Sequence, residues 1–165
     1  MKARVLIIYM SVHHGNTRKV AEEMARVLNA RLATPDEVAA AELLNYDLIG
    51  FGSGIYHGKH HRAILELVDR LPNLGGRRWA FIFSTRGFGP YRWYHRTLRG
   101  KLMAKGFKIL GEFSCKGFDT YGIIRWIGGI NKGRPDENDL KEARRFAMGV
   151  MEKLRRMVEG SSISD

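Results

Sequence analysis

Strand-length runs rich in Val, Ile and Phe alternate along this chain with stretches whose apolar residues recur at helical spacing, and no other feature limits the fold as much. Residues 4–9, 47–53, 79–84 and 107–115 read as strands, and a short further strand is expected near residues 31–34. Between them, residues 16–30 place Val20, Met24 and Leu28 on one stripe beside Ala21 and Ala25. Residues 61–71 repeat the pattern with Ile64, Leu65, Val68 and Leu71 until Pro72 stops it, and another helix is expected over residues 91–105. Thr34, Pro35, Asp36 and Glu37 form a capping-box sequence with proline at the first helical position, so a short helix should follow the second strand. A last helix starts at the acidic group Pro135, Asp136 and Asp139 and carries its apolar stripe to Val158. Parallel neighbours need long crossovers, so strict strand-helix alternation predicts an α/β fold with a parallel sheet covered by helices on both faces.

At 165 residues the chain has the size of one domain. No linker or repeat divides it, so residues 1–160 are expected to form a single domain followed by a short polar tail, 161–165. The longest apolar run, Val5 to Met10, is far shorter than a bilayer span or a signal-peptide core. A single cysteine, Cys115, excludes an internal disulfide and any multi-cysteine metal centre, which fits a reducing cytoplasm. The six histidines lack carboxylates at metal-ligand spacing, so no metal site is expected. The formal charge is +11, and most of it is local: twelve Lys and Arg residues lie between His57 and Lys108, against Glu66 and Asp69. Such a field suits an acidic redox protein, an anionic membrane surface or nucleic acid, and a solvated basic face is the plain alternative.

In parallel sheets of this kind ligands sit outside the carboxyl ends of the strands. The loop after the first strand reads Ser11-Val12-His13-His14-Gly15-Asn16-Thr17 and runs straight into a helix. Small hydroxyl and amide residues beside a glycine let backbone N–H groups converge on phosphate oxygens, and the helix start adds positive partial charge. Ser11, Asn16 and Thr17 are the expected donors, with an N-capped turn lacking any ligand as the alternative. Neither a Walker lysine pattern nor GxGxxG is present. The next loops, residues 52–59 and 84–89, pair glycines with Tyr56 and Phe88, which could flank a flat ring, with Tyr91 or Trp93 in place of Phe88.

The segments SVHHGNTRKVAEEMA, YDLIGFGSGIYHGKHH, FIFSTRGFG, EFSCKGFDTYG and GGINKGRPDENDLKEARRFA stand in an order that resembles the flavodoxin family over nearly the whole chain. The resemblance implies a three-layer sandwich whose five-stranded parallel sheet has the order 2-1-3-4-5, with FMN as cofactor. It implies Ser11, His13, Gly15, Asn16 and Thr17 around the FMN phosphate. Ser53, Gly54, Ile55, Tyr56 and Gly58 would line one side of the flavin, while Ser84, Thr85, Gly87, Phe88 and Gly89 would hold the ribityl chain and the other side. Three features depart from pure carriers of that family. His13 and His14 lengthen the first loop, as in an archaeal and bacterial flavodoxin-like branch, the usual Trp and Tyr ring sandwich is missing, and the chain is basic where carriers are acidic.

These features imply a flavoprotein that shuttles electrons to an acidic partner. A backbone carbonyl near Gly58 would accept a hydrogen bond from the ring nitrogen protonated on one-electron reduction, and Lys59, Arg86 and Arg92 would favour the anionic reduced ring. The alternative is a small FMN-dependent oxidoreductase acting on a quinone, a porphyrinogen or a flavin, since GSGIYHGKHHRAI and YRWYHRTLRGKLM also resemble menaquinone-dependent protoporphyrinogen oxidases. A cofactor-free nucleic-acid binder would instead use Arg77, Arg78, Arg92, Arg96 and Arg99 interleaved with aromatics.

Overall fold

In a computed structural model, residues 2–76 and 78–162 are described, and the expectations for Arg77 and for 163–165 of the tail lie outside them. Among the described residues six strands, β1 (Val5–Met10), β2 (Arg31–Ala33), β3 (Leu48–Tyr56), β4 (Lys59–His60), β5 (Arg78–Arg86) and β6 (Phe107–Lys116), form one sheet. Its parallel path runs β2-β1-β3-β5-β6, the expected five-strand order, and β4 pairs antiparallel with β3 alone. Five α-helices among the described residues accompany it: α1 (Asn16–Leu28), α2 (Arg62–Asp69), α3 (Tyr91–Tyr94), α4 (Arg96–Ala104) and α5 (Glu137–Ser162).

Side chains of a strand alternate between faces, and β1 shows why both faces must be covered. Val5 and Ile7 enter a core with Val20 and Met24 of α1 and Ala143, Ala147 and Leu154 of α5. Cys115 of β6 lies in the same core, where burial pushes its thiol up to about 12 and keeps it protonated. Leu6 and Ile8 enter a second core with Ile64, Leu67 and Val68 of α2 and Leu98 and Leu102 of α4. Two aromatic rings of β5 depend on glycines in β3. A Cβ built on Gly50 would stand 2.3 Å from the Phe81 ring, and one on Gly52 would stand 2.3 Å from that of Phe83. The strand pair closes around these rings because β3 has no side chain there.

Four local features differ from expectation. The third strand does not stop at Ser53 but continues to Tyr56 and turns back through His57 and Gly58 into β4. Both turn residues have positive φ, 50° and 75°, as a two-residue type I′ hairpin requires. The helix expected over 91–105 is split at His95, whose buried ring is drawn into hydrogen bonds with Ser84 and Glu112. The capping box at Thr34 forms with Glu37 as expected, but the segment it starts, Pro35–Glu37, is 3-10 rather than α. Finally, α5 extends through residues 161 and 162, into the segment expected to be tail.

Candidate functional site

At the carboxyl end of the sheet the loops after β1, β3, β5 and β6 enclose a cleft of about 640 Å³, open solvent at its mouth included. The β1 loop contributes Ser11, Val12, His13, Asn16 and Thr17; β3 and its turn contribute Gly54, Ile55, Tyr56 and His57. The end of β5 adds Thr85, Arg86 and Gly87, and the β6 loop adds Gly117, Phe118, Asp119 and Tyr121.

The β1 loop owes its shape to two consecutive left-handed residues, His14 at φ 56° and Gly15 at φ 64°, after which α1 begins. The first N–H groups of a helix have no intrahelical acceptor, and the first turn of α1 carries no acid to occupy them. Ser11 Oγ is buried beside this turn without a hydrogen-bond partner, an unmet polar group where buried groups are normally paired. Thr17 and Thr85 place their hydroxyls 2.8 Å apart. One of the pair donates to the other, so one hydroxyl proton remains to donate elsewhere. Asn16 acts differently, since its Nδ2 donates to the Phe118 carbonyl at 2.8 Å and holds the β6 loop against α1. His14 reinforces that contact, with Nε2 3.0 Å from Thr120 Oγ1 and its ring 4.4 Å from the Phe118 ring.

On the opposite wall Tyr56 folds back over Gly54, where a Cβ would meet the phenol oxygen at 2.9 Å. Burial, and then the nearby Asp119 carboxylate, push the Tyr56 phenol above its ordinary range, so it stays protonated and can donate. His57 and Tyr121 meet edge to face at 5.9 Å, which brings the hairpin turn to the β6 loop. Arg86 is held from two sides: its Nε donates to Gly89 O at 2.9 Å and its Nη1 to Ser114 Oγ at 2.8 Å.

Behind Arg86 lies a buried polar layer. Ser53, Ser84 and Ser114 stand side by side on β3, β5 and β6. Ser84 Oγ is 2.8 Å from Ser114 Oγ and 2.7 Å from His95 Nε2, while His95 Nδ1 is 3.0 Å from Glu112. Burial alone would raise the Glu112 carboxyl, but hydrogen bonds from Arg99 and His95 outweigh it and pull the group down to about 2. His60 sits against His95 with ring centroids 4.8 Å apart, and burial takes it down to about 3.

Of the fifteen residues expected at the site, nine line the cleft: Ser11, His13, Asn16, Thr17, Gly54, Ile55, Tyr56, Thr85 and Gly87. The other six do not. Gly15 shapes the turn before α1, and Gly58 completes the hairpin turn. The Ser53 and Ser84 hydroxyls face inward and are taken by protein: Ser53 donates to Gly54 O and accepts from His61 N, and Ser84 belongs to the buried layer. Phe88 projects into solvent at 68% exposure. Gly89 packs instead against Tyr94. Of the two rings considered in place of Phe88, Tyr91 packs edge to face on His95, and Trp93 is exposed beneath Arg96. The aromatic residues that join Tyr56 in the lining are Phe118 and Tyr121, which periodicity could not single out because they lie in an irregular loop.

A family model described as a flavodoxin domain matches residues 6–87. An uncharacterised protein of Methanocaldococcus jannaschii is 49% identical over 150 residues, covering 90% of this chain and 98% of that protein. Among solved structures, a flavodoxin from the domain Archaea superposes with TM-score 0.64 at 17% identity, over 92% of this chain and 99% of that one. Oxidised flavodoxin 2 from Bacillus cereus gives TM-score 0.68 at 19% identity over the same shares. The rubredoxin oxygen:oxidoreductase of Desulfovibrio gigas gives 0.72 at 14% identity over 94% of this chain and 37% of its own. At such identities these structures establish the shared fold.

Proposed function

The chain belongs to the flavodoxin family, whose cofactor is FMN, and from that premise we propose that it is an electron carrier whose cleft holds FMN and whose redox partner presents acidic groups. The observation that carries this reading is the unpartnered Ser11 Oγ beside the start of α1, a donor placed where a phosphate would complete it. The residues present fit the group. Ser11, the spare Thr17 or Thr85 proton and the first N–H groups of α1 would receive the phosphate, and Tyr56, Phe118 and Tyr121 supply faces and edges for a planar ring. Bound FMN supplies one-electron redox chemistry. The chain itself holds and tunes. Tyr56 offers a protonated hydroxyl, the hairpin turn presents backbone at His57 and Gly58, and Arg86 keeps a fixed positive charge on the cleft wall.

The partner's character follows from charge, because beyond the carboxyl end of β5 the chain presents Arg86, Arg92 and Arg96 with no acid between them. Such a surface speeds encounter with acidic partners and slows it with basic ones. A second reading, a small FMN oxidoreductase, draws on the adjoining groove between His13, Asp119, Tyr121 and Arg125, which leaves room for another molecule. Stepwise anaerobic reduction of the FMN-loaded protein tests the two. Two resolved one-electron steps support the carrier, whereas a single two-electron step with steady turnover of a soluble quinone favours the oxidoreductase.

A further inference from the structure

Residues 119–130 form a closed loop that projects from the carboxyl end of the sheet. Asp119 and Ile130 bridge its base through reciprocal backbone hydrogen bonds at 3.0 and 2.8 Å. Asp119 Oδ1 accepts from Tyr121 N at 2.8 Å. The tip, Gly122–Ile127, is a 3-10 turn closed by bonds from Gly128 N to Arg125 O and from Gly129 N to Ile124 O. The backbone of this loop is thus largely satisfied internally while its side chains are not. Ile123 is 84% exposed, Trp126 89% and Ile127 76%. Residues three apart in a 3-10 turn eclipse, so Ile123 and Trp126 lie on one side, with Ile127 next to Trp126.

Positive charge surrounds this apolar tip. Arg125 stands within it, Lys116 and Lys132 flank its base, and all three are exposed. Asp119 is the sole acid in residues 117–135, and its carboxylate is turned to the loop's own backbone. The neighbouring β5 loop, tied to it by Asn131 Nδ2 donating to Gly87 O, carries exposed Phe88 and Trp93 with Arg92 and Arg96.

We infer that this face docks on an anionic lipid bilayer, with Ile123, Trp126 and Ile127 entering the interface and Arg125, Lys116 and Lys132 meeting phosphate headgroups. Three properties favour lipid over an acidic protein. Trp126 borders the groove beside His13 and Tyr121, yet all three apolar side chains of the tip are almost fully exposed, so a protein partner would need a matching apolar pocket inside an acidic surface, while a bilayer offers apolar depth beneath anionic charge everywhere. A backbone entering the interface must satisfy its own polar groups, and this one largely does. Tryptophan is the side chain most suited to headgroup depth. Membrane binding needs two signals to be stable, and apolar insertion plus a basic patch are both present here. The inference extends the carrier reading by stating where electrons would be exchanged, and it rests on that reading only for this purpose.

The test uses the full chain and vesicles of phosphatidylcholine and phosphatidylglycerol, roughly two to one, with pure phosphatidylcholine beside them. Wild type should float with the anionic vesicles, weakly with the neutral ones, and less as salt rises. Brominated lipid should quench tryptophan emission, and Trp126→Phe should remove most of that quenching. The double variant Ile123→Ser with Ile127→Ser should lose at least about tenfold in partition at an unchanged melting temperature. Failure of wild type to bind anionic vesicles overturns the inference, as does undiminished binding of the double variant. Salt-sensitive retention on a polyglutamate surface without vesicle binding overturns it in favour of an acidic protein. FMN titration on the same preparation separates the two readings: FMN bound without vesicle binding removes this inference alone, and vesicle binding without FMN removes only the carrier reading.

Discussion

The hydroxyls of Thr17 and Thr85 lie 2.8 Å apart in a buried position, joining the first turn of α1 to the end of β5 at the floor of the cleft. The helix that follows β1 is thereby coupled to β5 at the point where a phosphate would sit, although β3 stands between β1 and β5 in the sheet. Removing either hydroxyl leaves the other with one partner fewer. Thr17→Val and Thr85→Val should each weaken FMN binding by about tenfold and cost about 1 kcal/mol of stability, measured by flavin fluorescence titration and urea unfolding. The two losses should not add, since they share one hydrogen bond. Strict additivity would show that the hydroxyls act separately.

Acid should destabilise this protein in two stages. Burial chiefly, and then the neighbouring His95, hold His60 at about 3 against an ordinary 6.5. Its folded value is depressed, so the unfolded chain binds a proton first, and stability is full above 6.5 and falls as pH drops toward 3. The loss is at most about 1.4 kcal/mol per pH unit from this group. Glu112, at about 2 against 4.5, adds a second loss as pH falls through the interval between those values. Burial also lowers the neighbouring His95, so His60→Gln should reduce the first stage in a urea-midpoint series without abolishing it, and should leave the second. An unchanged midpoint from neutral pH to about 5 in wild type would contradict this.

Gly52 makes room for the Phe83 ring, and Gly52→Ala should cost about 1–3 kcal/mol because the ring cannot withdraw from a filled core. Circular dichroism melting is the check. An Ala variant as stable as wild type would mean that the strands part more easily than their packing indicates.

How much of this is legible in the sequence depends on what each segment's residues report. β1 is plain because Val5 to Ile8 is a short apolar run rich in β-branched residues, and α1 because the stripe Val20, Met24 and Leu28 recurs at helical spacing. The β3–β4 hairpin is not, since Gly52, Gly54 and Gly58 read as a loosely folded loop. The signal available is His57-Gly58 set between Tyr56 and Lys59, a two-residue turn that only positive φ can close. The break at His95 leaves no mark either, because residues 91–105 keep a helical period through it and only the buried partners Ser84 and Glu112 account for the interruption. Ser53 and Ser84 look like donors for a ligand, yet strand parity turns both inward, where protein partners already use them. Phe118, Asp119 and Tyr121 lie in an irregular loop whose place at the cleft is set by Asn16 and His14, contacts more than a hundred residues away in sequence.

Arg86 is anchored by Gly89 O and Ser114 Oγ, so its charge is fixed on the cleft wall. Arg86→Gln should lower the potential of the second electron step on bound FMN, by an amount on the order of tens of millivolts. Ser114→Ala should give a smaller shift of the same sign by loosening the guanidinium. Potentiometric titration decides, and a potential that is unmoved or raised in Arg86→Gln would show that this charge does not tune the flavin.

Whether the β1 loop and the start of α1 receive a phosphate is tested most directly by titrating the protein with FMN and with riboflavin under the same conditions. The proposed site predicts one FMN per chain and an affinity for riboflavin lower by at least about a hundredfold, since the phosphate alone would meet Ser11, the threonine pair and the helix N–H groups. Equal affinities, or no binding of FMN, would contradict it.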